Sequence, residues 1–275
     1  MTGREIVSVE RGEIYMSIPR IIHYCWLSDD PVPEKMKRYI EGWKKLLPDY
    51  EFVKWDFDRF DKASSAWVSE AFDNKKYAFA SDYIRIYAVY NYGGIYLDMD
   101  VEVLKPFDKL LDRPYMLAYE SPDKYLIEAG CFGAQKHDPF LKACLDYYKD
   151  RHFVSRDGVL DTLPLSRVMS DIMREKKLKL KIYSWEYFTA KSYTTGIETP
   201  GKNTYAIHHF AGSWKSREER KIIKKARRIR NAHPIVGKYV AFVYEKMAKV
   251  LLTMKNGGTN ELRHKIGQYL KNLYR

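Results

Sequence analysis

Residues 18–55 contain the pattern that most restricts the fold of this chain. The run IPRIIHYCWL, residues 18–27, is rich in isoleucine and is followed by SDDP, which predicts a buried strand. Residues 33–48 carry apolar side chains at helical spacing and end at Pro48, which predicts an amphipathic helix. The run EFVKW, residues 51–55, predicts a second strand. A strand, a helix and a strand in this order predict an α/β fold.

Helix and strand patterns continue to about residue 214. Residues 78–94, AFASDYIRIYAVYNYGG, predict a helix with Gly93 or Gly94 after its end, and IYLD, residues 95–98, predicts a strand. Further strands are predicted at 115–120, 129–134, 180–184 and 204–210, and further helices at 138–150 and 164–177. The chain is 45% hydrophobic and 15% aromatic, which is enough for a full core.

The charge of the chain is concentrated in residues 215–275. This segment contains 17 Lys and Arg but 4 Asp and Glu, whereas the first 214 residues contain 31 and 32 and are nearly neutral. Its apolar residues recur at helical spacing, which predicts a basic amphipathic helical extension with a turn at NGGTN, residues 256–260. Residues 1–15 are interpreted as an extension outside the fold, from the start site or from expression.

Cysteine usage and hydropathy indicate the compartment. Cys25, Cys131 and Cys144 are odd in number and have no CxxC spacing, which favours reduced thiols in a cytosol-like environment. No apolar run approaches the roughly 20 residues of a spanning helix, and the N-terminus has no apolar core of a secretory signal. We expect a cytoplasmic protein, with peripheral attachment to the inner face of the cytoplasmic membrane as an open alternative.

Asp98 and Asp100 follow the predicted strand at residues 95–98. On extended backbone alternate side chains point the same way, so both carboxylates are expected on one face. Their repulsion would be relieved by Mg²⁺ or Mn²⁺, which prefers oxygen ligands and leaves positions for phosphate oxygens. The pair therefore predicts a divalent cation that carries a diphosphate, although a lone DxD also occurs as a solvated acidic turn.

Three blocks of the sequence resemble one enzyme family. IPRIIHYCWL, AFASDYIRIYAVYNYGGIYLDMDVEVLKPFD and TYAIHHFAGSW are similar to the DxD-containing glycosyltransferases of family 32 type. This family includes bacterial capsular polysaccharide sugar transferases and yeast initiating mannosyltransferases, with the glucosyltransferase domains of large clostridial toxins as distant relatives. The resemblance covers about Ile18 to Trp214. It implies a Rossmann-like GT-A catalytic domain at residues 16–214, a nucleotide-sugar donor, Mn²⁺ or Mg²⁺, and retention of anomeric configuration.

The resemblance also implies the central site residues. Asp98 and Asp100 match the DxD, with Asp100 as the direct metal ligand. Asp82 and Arg85 match the pair that holds the donor sugar and its phosphate. Without the family match, Asp82 is equally explained as a helix cap and Arg85 as its surface partner.

Further contacts are implied at both ends of the catalytic domain. His209 matches the C-terminal metal and diphosphate contact, but His208 lies next to it on a strand, and alternation alone does not decide between them. His209 is preferred for its spacing to Gly212 and Trp214. The remaining donor contacts implied by the family are Trp26, which would stack on the base, Tyr96, Ser213 and Trp214. Trp26 and Tyr96 are otherwise explained as packing residues.

The function expected from the resemblance is transfer of a hexose to a glycan or lipid-linked glycan, in capsular or surface polysaccharide synthesis. A UDP-sugar is preferred as donor because of Trp26, and a GDP donor stays open. The alternatives are a toxin-like protein glycosyltransferase, a haloacid-dehalogenase-like phosphatase with Asp98 as nucleophile, and a basic binding module. The basic segment alternates with apolar stripes and not with stacking aromatics, so an anionic membrane is favoured over nucleic acid as its partner.

Overall fold

The computed structural model describes residues 7–10, 13–123, 125–212, 215–233 and 236–273. The chain divides into two compact units. The first contains the residues up to Ser192 together with Glu198–Ala211, and the second contains Tyr193–Ile197 and the residues from Gly212 onward. None of the helices in these described ranges combines the length and the apolar character that crossing a membrane requires. The domain boundaries expected from the sequence stay predictions.

The regular elements follow one another in mixed order along the chain. The strands in the described ranges are β1 (Val7–Glu10), β2 (Glu13–Met16), β3 (Ile21–Cys25), β4 (Glu51–Trp55), β5 (Gly94–Leu97), β6 (Val101–Val103), β7 (Tyr115–Met116), β8 (Cys131–Ala134) and β9 (Ala206–His208). The α-helices are α1 (Glu34–Leu46), α2 (Ala66–Asp73), α3 (Tyr77–Tyr92), α4 (Pro139–Tyr148), α5 (Leu165–Glu175), α6 (Arg217–Ala232) and α7 (Val236–Leu273).

A five-stranded sheet in the order β4-β3-β5-β8-β7 forms the centre of the first unit. β4, β3 and β5 are parallel, whereas β8 runs antiparallel to both β5 and β7. The strand–helix–strand opening creates the parallel part, because a parallel pair needs a crossover connection. The predicted α/β fold class with C-terminal helices is confirmed.

β5 is buried on both faces, and its side chains divide between two cores. Tyr96 packs in a cluster with Ile84 of α3, whereas Ile95 and Leu97 pack in a second cluster with Trp43 of α1. The alternation of side chains along a strand produces this division. The residue after β5, Asp98, therefore shares the face of Tyr96, and its Oδ1 accepts a hydrogen bond of 2.9 Å from the Tyr96 hydroxyl.

The two glycines between α3 and β5 are required by their surroundings. Gly93 and Gly94 both have positive φ, 68° and 104°. A Cβ at Gly94 would lie 2.6 Å from the carbonyl oxygen of Ile21 on β3, and one at Gly93 would lie 2.8 Å from the ring of Pro19. Glycine thus lets the chain leave α3 and enter the sheet beside β3 without a steric clash.

A second, two-stranded sheet brings distant parts of the chain to the end of β5. β6 and β9 pair in antiparallel register, with Val101 opposite His208. A turn closed by the hydrogen bond from Val101 N to the Asp98 carbonyl, 2.9 Å, separates β5 from β6. Asp100 therefore lies in a turn, and the expected fully extended backbone for the acidic pair is wrong. The turn arises because the chain leaves one sheet and enters another within three residues.

Several local predictions differ from the structure. Residues 180–184 form no regular strand. Tyr183 makes only an isolated bridge to Ala118, because the neighbouring strand β7 ends at Met116. α7 continues through the turn predicted at residues 256–260, because helix propensity is a weak preference and glycine costs only about 1 kcal/mol in a long helix. α2 was not predicted from the sequence, and β1 and β2 pair with each other in an antiparallel two-stranded sheet.

Candidate active site

Asp98 lies at the carboxyl end of β5, with both carboxylate oxygens occupied. Besides the bond from Tyr96, it contacts the guanidinium of Arg85, with Nη1 3.3 Å from Oδ2 and Nη2 3.2 Å from Oδ1. Burial raises the pKa of Asp98 above its usual value, although Arg85 opposes this effect. Its carboxylate is thus held in one orientation by a tyrosine and an arginine.

Asp100 is fixed in the turn by backbone groups from the C-terminal part of the first unit. Its Oδ2 accepts a hydrogen bond of 2.6 Å from Ala211 N, 111 residues away in the sequence. Its own carbonyl accepts from His209 N at 3.1 Å. Burial alone would raise the pKa of Asp100, but the imidazole of His208 and the N–H of Ala211 lower it to about 2. Asp100 is therefore ionised at neutral pH.

His208 forms a group of three possible metal ligands with Asp98 and Asp100. Its Nε2 lies 3.4 Å from Asp100 Oδ1 and 3.8 Å from Asp98 Oδ2. One donor atom from each of the three residues lies within 4.8 Å of the others. Burial lowers the pKa of His208, but the surrounding carboxylates raise it well above its usual value. Cation binding would need the neutral imidazole and would therefore release a proton.

The geometry places His208, and not the His209 preferred from the sequence, beside the acidic pair. His209 is directed away from the acidic pair: its Nε2 lies 2.8 Å from Glu102 Oε2, and its ring stacks on Tyr39 with centroids 5.1 Å apart. Its Nδ1 lies 3.1 Å from Lys191 Nζ. His208 is the last residue of β9 and its pairing with β6 turns it toward the site, whereas His209 directly follows the strand and points the other way.

The donor set fits a divalent cation. Two carboxylates and one imidazole are suitable ligands for Mn²⁺, and carboxylates alone suit Mg²⁺. The space beside them is kept free by Gly130, where a Cβ would lie 2.6 Å from His208 Cε1 and 2.8 Å from Asp98 Oδ2. The site residues therefore fit the cation that the DxD pair predicted, while the identity of the metal stays a prediction.

Glu128 is a site residue that was not predicted from the sequence. It is 1% exposed, and its carboxylate accepts from Gly130 N at 2.6 Å and from the Thr189 hydroxyl at 2.9 Å. Its Oε1 also lies 2.9 Å from His208 Nδ1. Burial raises the pKa of Glu128, but His208 and the hydrogen bonds from Gly130 N and Thr189 together lower it below the usual value. The available sequence indication was a lone acidic residue in the apolar run YLIEAGCFGA.

Glu128 is placed to orient His208. A carboxylate on one ring nitrogen holds the proton there and directs the lone pair of the other nitrogen toward a metal. Here the Nδ1–H faces Glu128, so Nε2 faces the two aspartates. Glu128 acts through His208, as a positioning residue.

Arg85 and Asp82 project from α3 into the same region. The Nη2 of Arg85 lies 3.3 Å from Asp82 Oδ1, and its Nη1 donates to the Ala129 carbonyl at 2.8 Å. The guanidinium lies 4.6 Å from the ring centroid of Tyr96. Burial raises the pKa of Asp82 to about 7, against the opposing charge of Arg85. The structure thus brings both predicted donor-holding residues next to Asp98.

The remaining predicted donor contacts have separate positions. Trp26 directly follows β3, is half-buried, and donates from Nε1 to the Asp30 carbonyl at 2.9 Å. Because β3 and β5 are parallel neighbours, Trp26 and Asp98 lie at the same edge of the sheet. Tyr96 is 2% exposed and uses its hydroxyl to hold Asp98. Ser213 and Trp214 lie outside the described residues.

Two matched histidine variants test which ring binds the cation. We expect His208→Gln to weaken Mn²⁺ binding by more than the roughly 10- to 100-fold that is typical of an outer-shell partner. His209→Gln should change the affinity by only a few-fold, because His209 contacts Glu102 and not the acidic pair. Mn²⁺ titration followed by electron paramagnetic resonance measures both. The reverse order of effects would contradict the assignment of His208.

A substitution of Glu128 tests its positioning role. We expect Glu128→Gln to weaken Mn²⁺ binding by roughly 10- to 100-fold, since the amide keeps the shape but loses the charge that orients His208. Glu70→Gln is the matched control, because Glu70 also pairs with a histidine, His152, elsewhere in the first unit. Isothermal titration with Mn²⁺ measures both variants. Equal affinity of Glu128→Gln and the unchanged protein would remove this role.

A known protein family matches the part of the chain that contains the acidic pair. Residues 33–117 match the family described as glycosyltransferase sugar-binding region containing DXD motif. The matched segment includes Asp82, Arg85, Asp98 and Asp100, whereas Glu128 and His208 lie beyond it.

Two similar proteins are yeast enzymes. Inositol phosphoceramide mannosyltransferase 3 of Schizosaccharomyces pombe is 33% identical over 145 residues, which cover 50% of this chain and 40% of that protein. Mannosyl phosphorylinositol ceramide synthase SUR1 of Saccharomyces cerevisiae is 34% identical over 199 residues, 68% of this chain and 51% of that protein. The chain thus spans about half or less of the length of these relatives.

Two solved structures are similar at low sequence identity. The PaToxG glycosyltransferase has 18% identity and a TM-score of 0.45, over 58% of this chain and 70% of that one. A glycosyltransferase involved in the glycosylation of the major capsid of PBCV-1 has 16% identity and a TM-score of 0.43, over 74% of this chain and 98% of that one.

From the match of residues 33–117 and the yeast relatives, we conclude that this chain belongs to the family of glycosyltransferases whose sugar-binding region contains a DXD motif.

Proposed function

We propose that this protein is a metal-dependent, retaining GT-A glycosyltransferase that moves a hexose from a nucleotide sugar to a hydroxyl of a glycan or lipid-linked glycan. The observation that carries the proposal is the group formed by Asp98, Asp100 and His208 at the carboxyl edge of the sheet. Nucleotide ligands of open α/β sheets bind at this edge. These three residues would hold Mn²⁺ or Mg²⁺, which when bound supplies the charge that neutralises a departing diphosphate.

The other residues of the site would position the donor. Arg85 is held by Asp82 and Asp98, so its positive charge is fixed beside the place proposed for the diphosphate. Asp82 would accept from hydroxyls of the donor sugar. Trp26 offers a flat apolar surface for the base at the same edge of the sheet.

The acceptor would attack from the side on which the diphosphate leaves. The new bond joins the acceptor oxygen to the anomeric carbon as the sugar–phosphate bond breaks, and the leaving phosphate takes the acceptor proton. The anomeric configuration is then retained without a protein nucleophile. Asp98, which accepts from Tyr96, pairs with Arg85 and would hold the cation, would have no nucleophilic role.

The donor and acceptor classes are proposed from different sources. Trp26 favours a UDP-sugar, whereas the names of the two yeast relatives favour a mannosyl donor and a phosphoinositol-bearing lipid acceptor. The acceptor we propose is a lipid-linked glycan used for capsular or surface polysaccharide, which carries both a phosphorylated lipid and a sugar hydroxyl that can be glycosylated. Such an acceptor would place the protein at the cytoplasmic face of a membrane.

Metal-dependent donor hydrolysis tests the proposal without knowledge of the acceptor. UDP-Gal, UDP-Glc, UDP-GlcNAc and GDP-Man are each incubated with the protein and Mn²⁺, Mg²⁺ or excess chelator. We expect release of UDP or GDP from one donor with metal and its loss with chelator. Nuclear magnetic resonance of the released sugar reports the anomer formed first. Equal hydrolysis with chelator, or trapping of an aspartyl-phosphate on Asp98, would reject the proposal.

A further inference from the structure

The second unit contains a helical hairpin whose apolar residues lie on two different faces. α6 begins with a capping box formed by Ser216 and Glu219, and it packs against α7. Gly237 lets the helices approach closely, since a Cβ there would lie 2.5 Å from the Ile229 carbonyl oxygen. Ala226 and Ala241 are both buried in this unit. Small residues thus contribute to the contact between the two helices, beside the Lys225 ammonium of α6 over the Tyr244 ring of α7.

A set of larger apolar side chains between Val236 and Met254 of α7 lies outside this contact. Eight of them recur at spacings of three or four residues and are 41–71% exposed: Val236, Tyr239, Val240, Val243, Met247, Val250, Leu251 and Met254. At about 100° per residue, these positions fall within an arc of roughly 120°, and the stripe is about 27 Å long. We call this set the α7 stripe. A continuous exposed apolar surface of this size on a soluble unit indicates a binding surface.

The segment that carries the α7 stripe is strongly basic. Residues 215–255 contain 13 Lys and Arg but only 3 Asp and Glu. Lys221, Lys224 and Arg228 of α6 are exposed, and Lys246 lies beside the stripe on α7 with its Nζ 5.5 Å from the ring centroid of Phe242. The hairpin therefore combines an apolar stripe with a large excess of positive charge.

The positive charge of the hairpin restricts which kind of partner can cover the α7 stripe. A second copy of the hairpin would bring two units of the same high charge together, which is unfavourable. Nucleic acid would use the cations but would leave the apolar stripe exposed to water. A bilayer with anionic headgroups satisfies both features, because apolar side chains enter the acyl boundary while lysine and arginine stay at the phosphates.

We propose that the α7 stripe is a docking surface for the surface of an anionic lipid bilayer. α7 would lie in the plane of the membrane with the α7 stripe in the boundary between headgroups and acyl chains. The exposed cations of α6 and α7 would add attraction to anionic lipids that weakens with salt.

Vesicle co-sedimentation of the full chain tests this surface. The probes are phosphatidylcholine vesicles with and without phosphatidylglycerol, at low and high salt. We expect the unchanged protein to bind the anionic vesicles most strongly at low salt. The double substitution Val243→Gln and Met247→Gln keeps the net charge and the helical preference, and it should lower binding by at least about 10-fold.

Two further variants separate the apolar and the electrostatic contributions. Tyr125→Gln with Ile197→Gln is the matched control: both side chains are exposed and apolar but lie outside the α7 stripe, so vesicle binding should not change. Replacing Lys221, Lys224 and Arg228 by glutamine should reduce binding to anionic vesicles and its salt dependence. Circular dichroism checks that the helices persist.

Two results would overturn the docking surface. The first is unchanged vesicle binding of Val243→Gln with Met247→Gln while its helical content is retained. The second is a dimer in solution, measured by light scattering, that dissociates in this double variant and shows no vesicle binding; the α7 stripe would then join two copies of the chain. Donor hydrolysis by the same samples reports the proposed catalytic function separately.

Discussion

Replacing Asp100 by alanine is expected to abolish sugar transfer and metal-dependent donor hydrolysis while leaving the fold intact. Asp100 is ionised and faces His208, so its loss removes a direct ligand from the proposed cation site. We expect a decrease in kcat/KM of at least about 1,000-fold, or roughly 4 kcal/mol of transition-state stabilisation. Donor hydrolysis with Mn²⁺ and the melting temperature in chelator measure the two parts of this expectation.

Two controls make the Asp100 result specific. Asp100→Asn keeps an acceptor for Ala211 N but loses the charge, so it should be nearly as inactive as the alanine variant. Asp73→Ala removes an exposed carboxylate that pairs with Lys62 on the surface, and it should retain full activity because such pairs contribute about 0–1 kcal/mol. Full activity of Asp100→Ala, or of the unchanged protein in chelator, would contradict the assigned site.

Replacing Arg85 by alanine is expected to destabilise the first unit more than any other single change in the site. Asp82 and Asp98 would lose the positive charge that both contact in the buried site. Breaking a buried ion pair on one side costs roughly 3–5 kcal/mol. At about 2–4 °C per kcal/mol for a unit of this size, the melting temperature should fall by roughly 6–20 °C. Thermal unfolding in chelator measures this change.

We expect Asp82 to be one source of the destabilisation that loss of Arg85 causes, and the pH dependence of stability tests this. Its pKa is about 7 in the folded protein and 3.8 in the unfolded chain, so the folded state binds the extra proton between these values. The stability that Asp82 contributes is therefore complete below about pH 4 and is lost as the pH rises through 7. The difference corresponds to about 4 kcal/mol. Unfolding of the unchanged protein in chelator at several pH values measures this slope.

Variants of Asp82 and Arg85 in combination test that explanation. Asp82→Asn should be more stable than the unchanged protein at pH 8, and its stability should vary less between pH 4 and 7. Arg85→Ala should be more damaging at pH 8 than at pH 5, because buried carboxylates are protonated more readily at the lower pH. Adding Asp82→Asn to Arg85→Ala should restore part of the loss at pH 8. A pH-independent loss would show that Arg85 stabilises the protein by packing alone.

The early elements of the fold were predictable because their patterns are local. β3, α1 and β4 lie within the predicted segments, and α3 and β5 each begin one residue before theirs, since each element has its own periodicity and its own terminating residues. Asp98 was also placed correctly at the end of a strand. By contrast, the NGGTN segment carries glycines that predict a turn, but the surrounding helix of 38 residues continues through it.

The composition of the proposed metal site depended on contacts between distant segments. His208 and His209 are neighbours in the sequence and equivalent by residue type, and the register of β6 with β9 decides which one faces Asp98 and Asp100. Glu128 joins the site through His208, 80 residues further along the chain. Neither contact leaves a periodic pattern in the sequence, because strand pairing joins segments whose separation has no fixed period.

The sequence alone therefore determined the α/β order of the elements, the acidic pair at a strand end and the concentration of positive charge after residue 214. These properties follow from periodicity and composition, which are readable one segment at a time. Only the tertiary structure decided that Asp100 lies in a turn, that His208 and not His209 joins the acidic pair, and that the α7 stripe is exposed. Each of these outcomes depends on which surfaces pack together, and packing is a property of the whole chain.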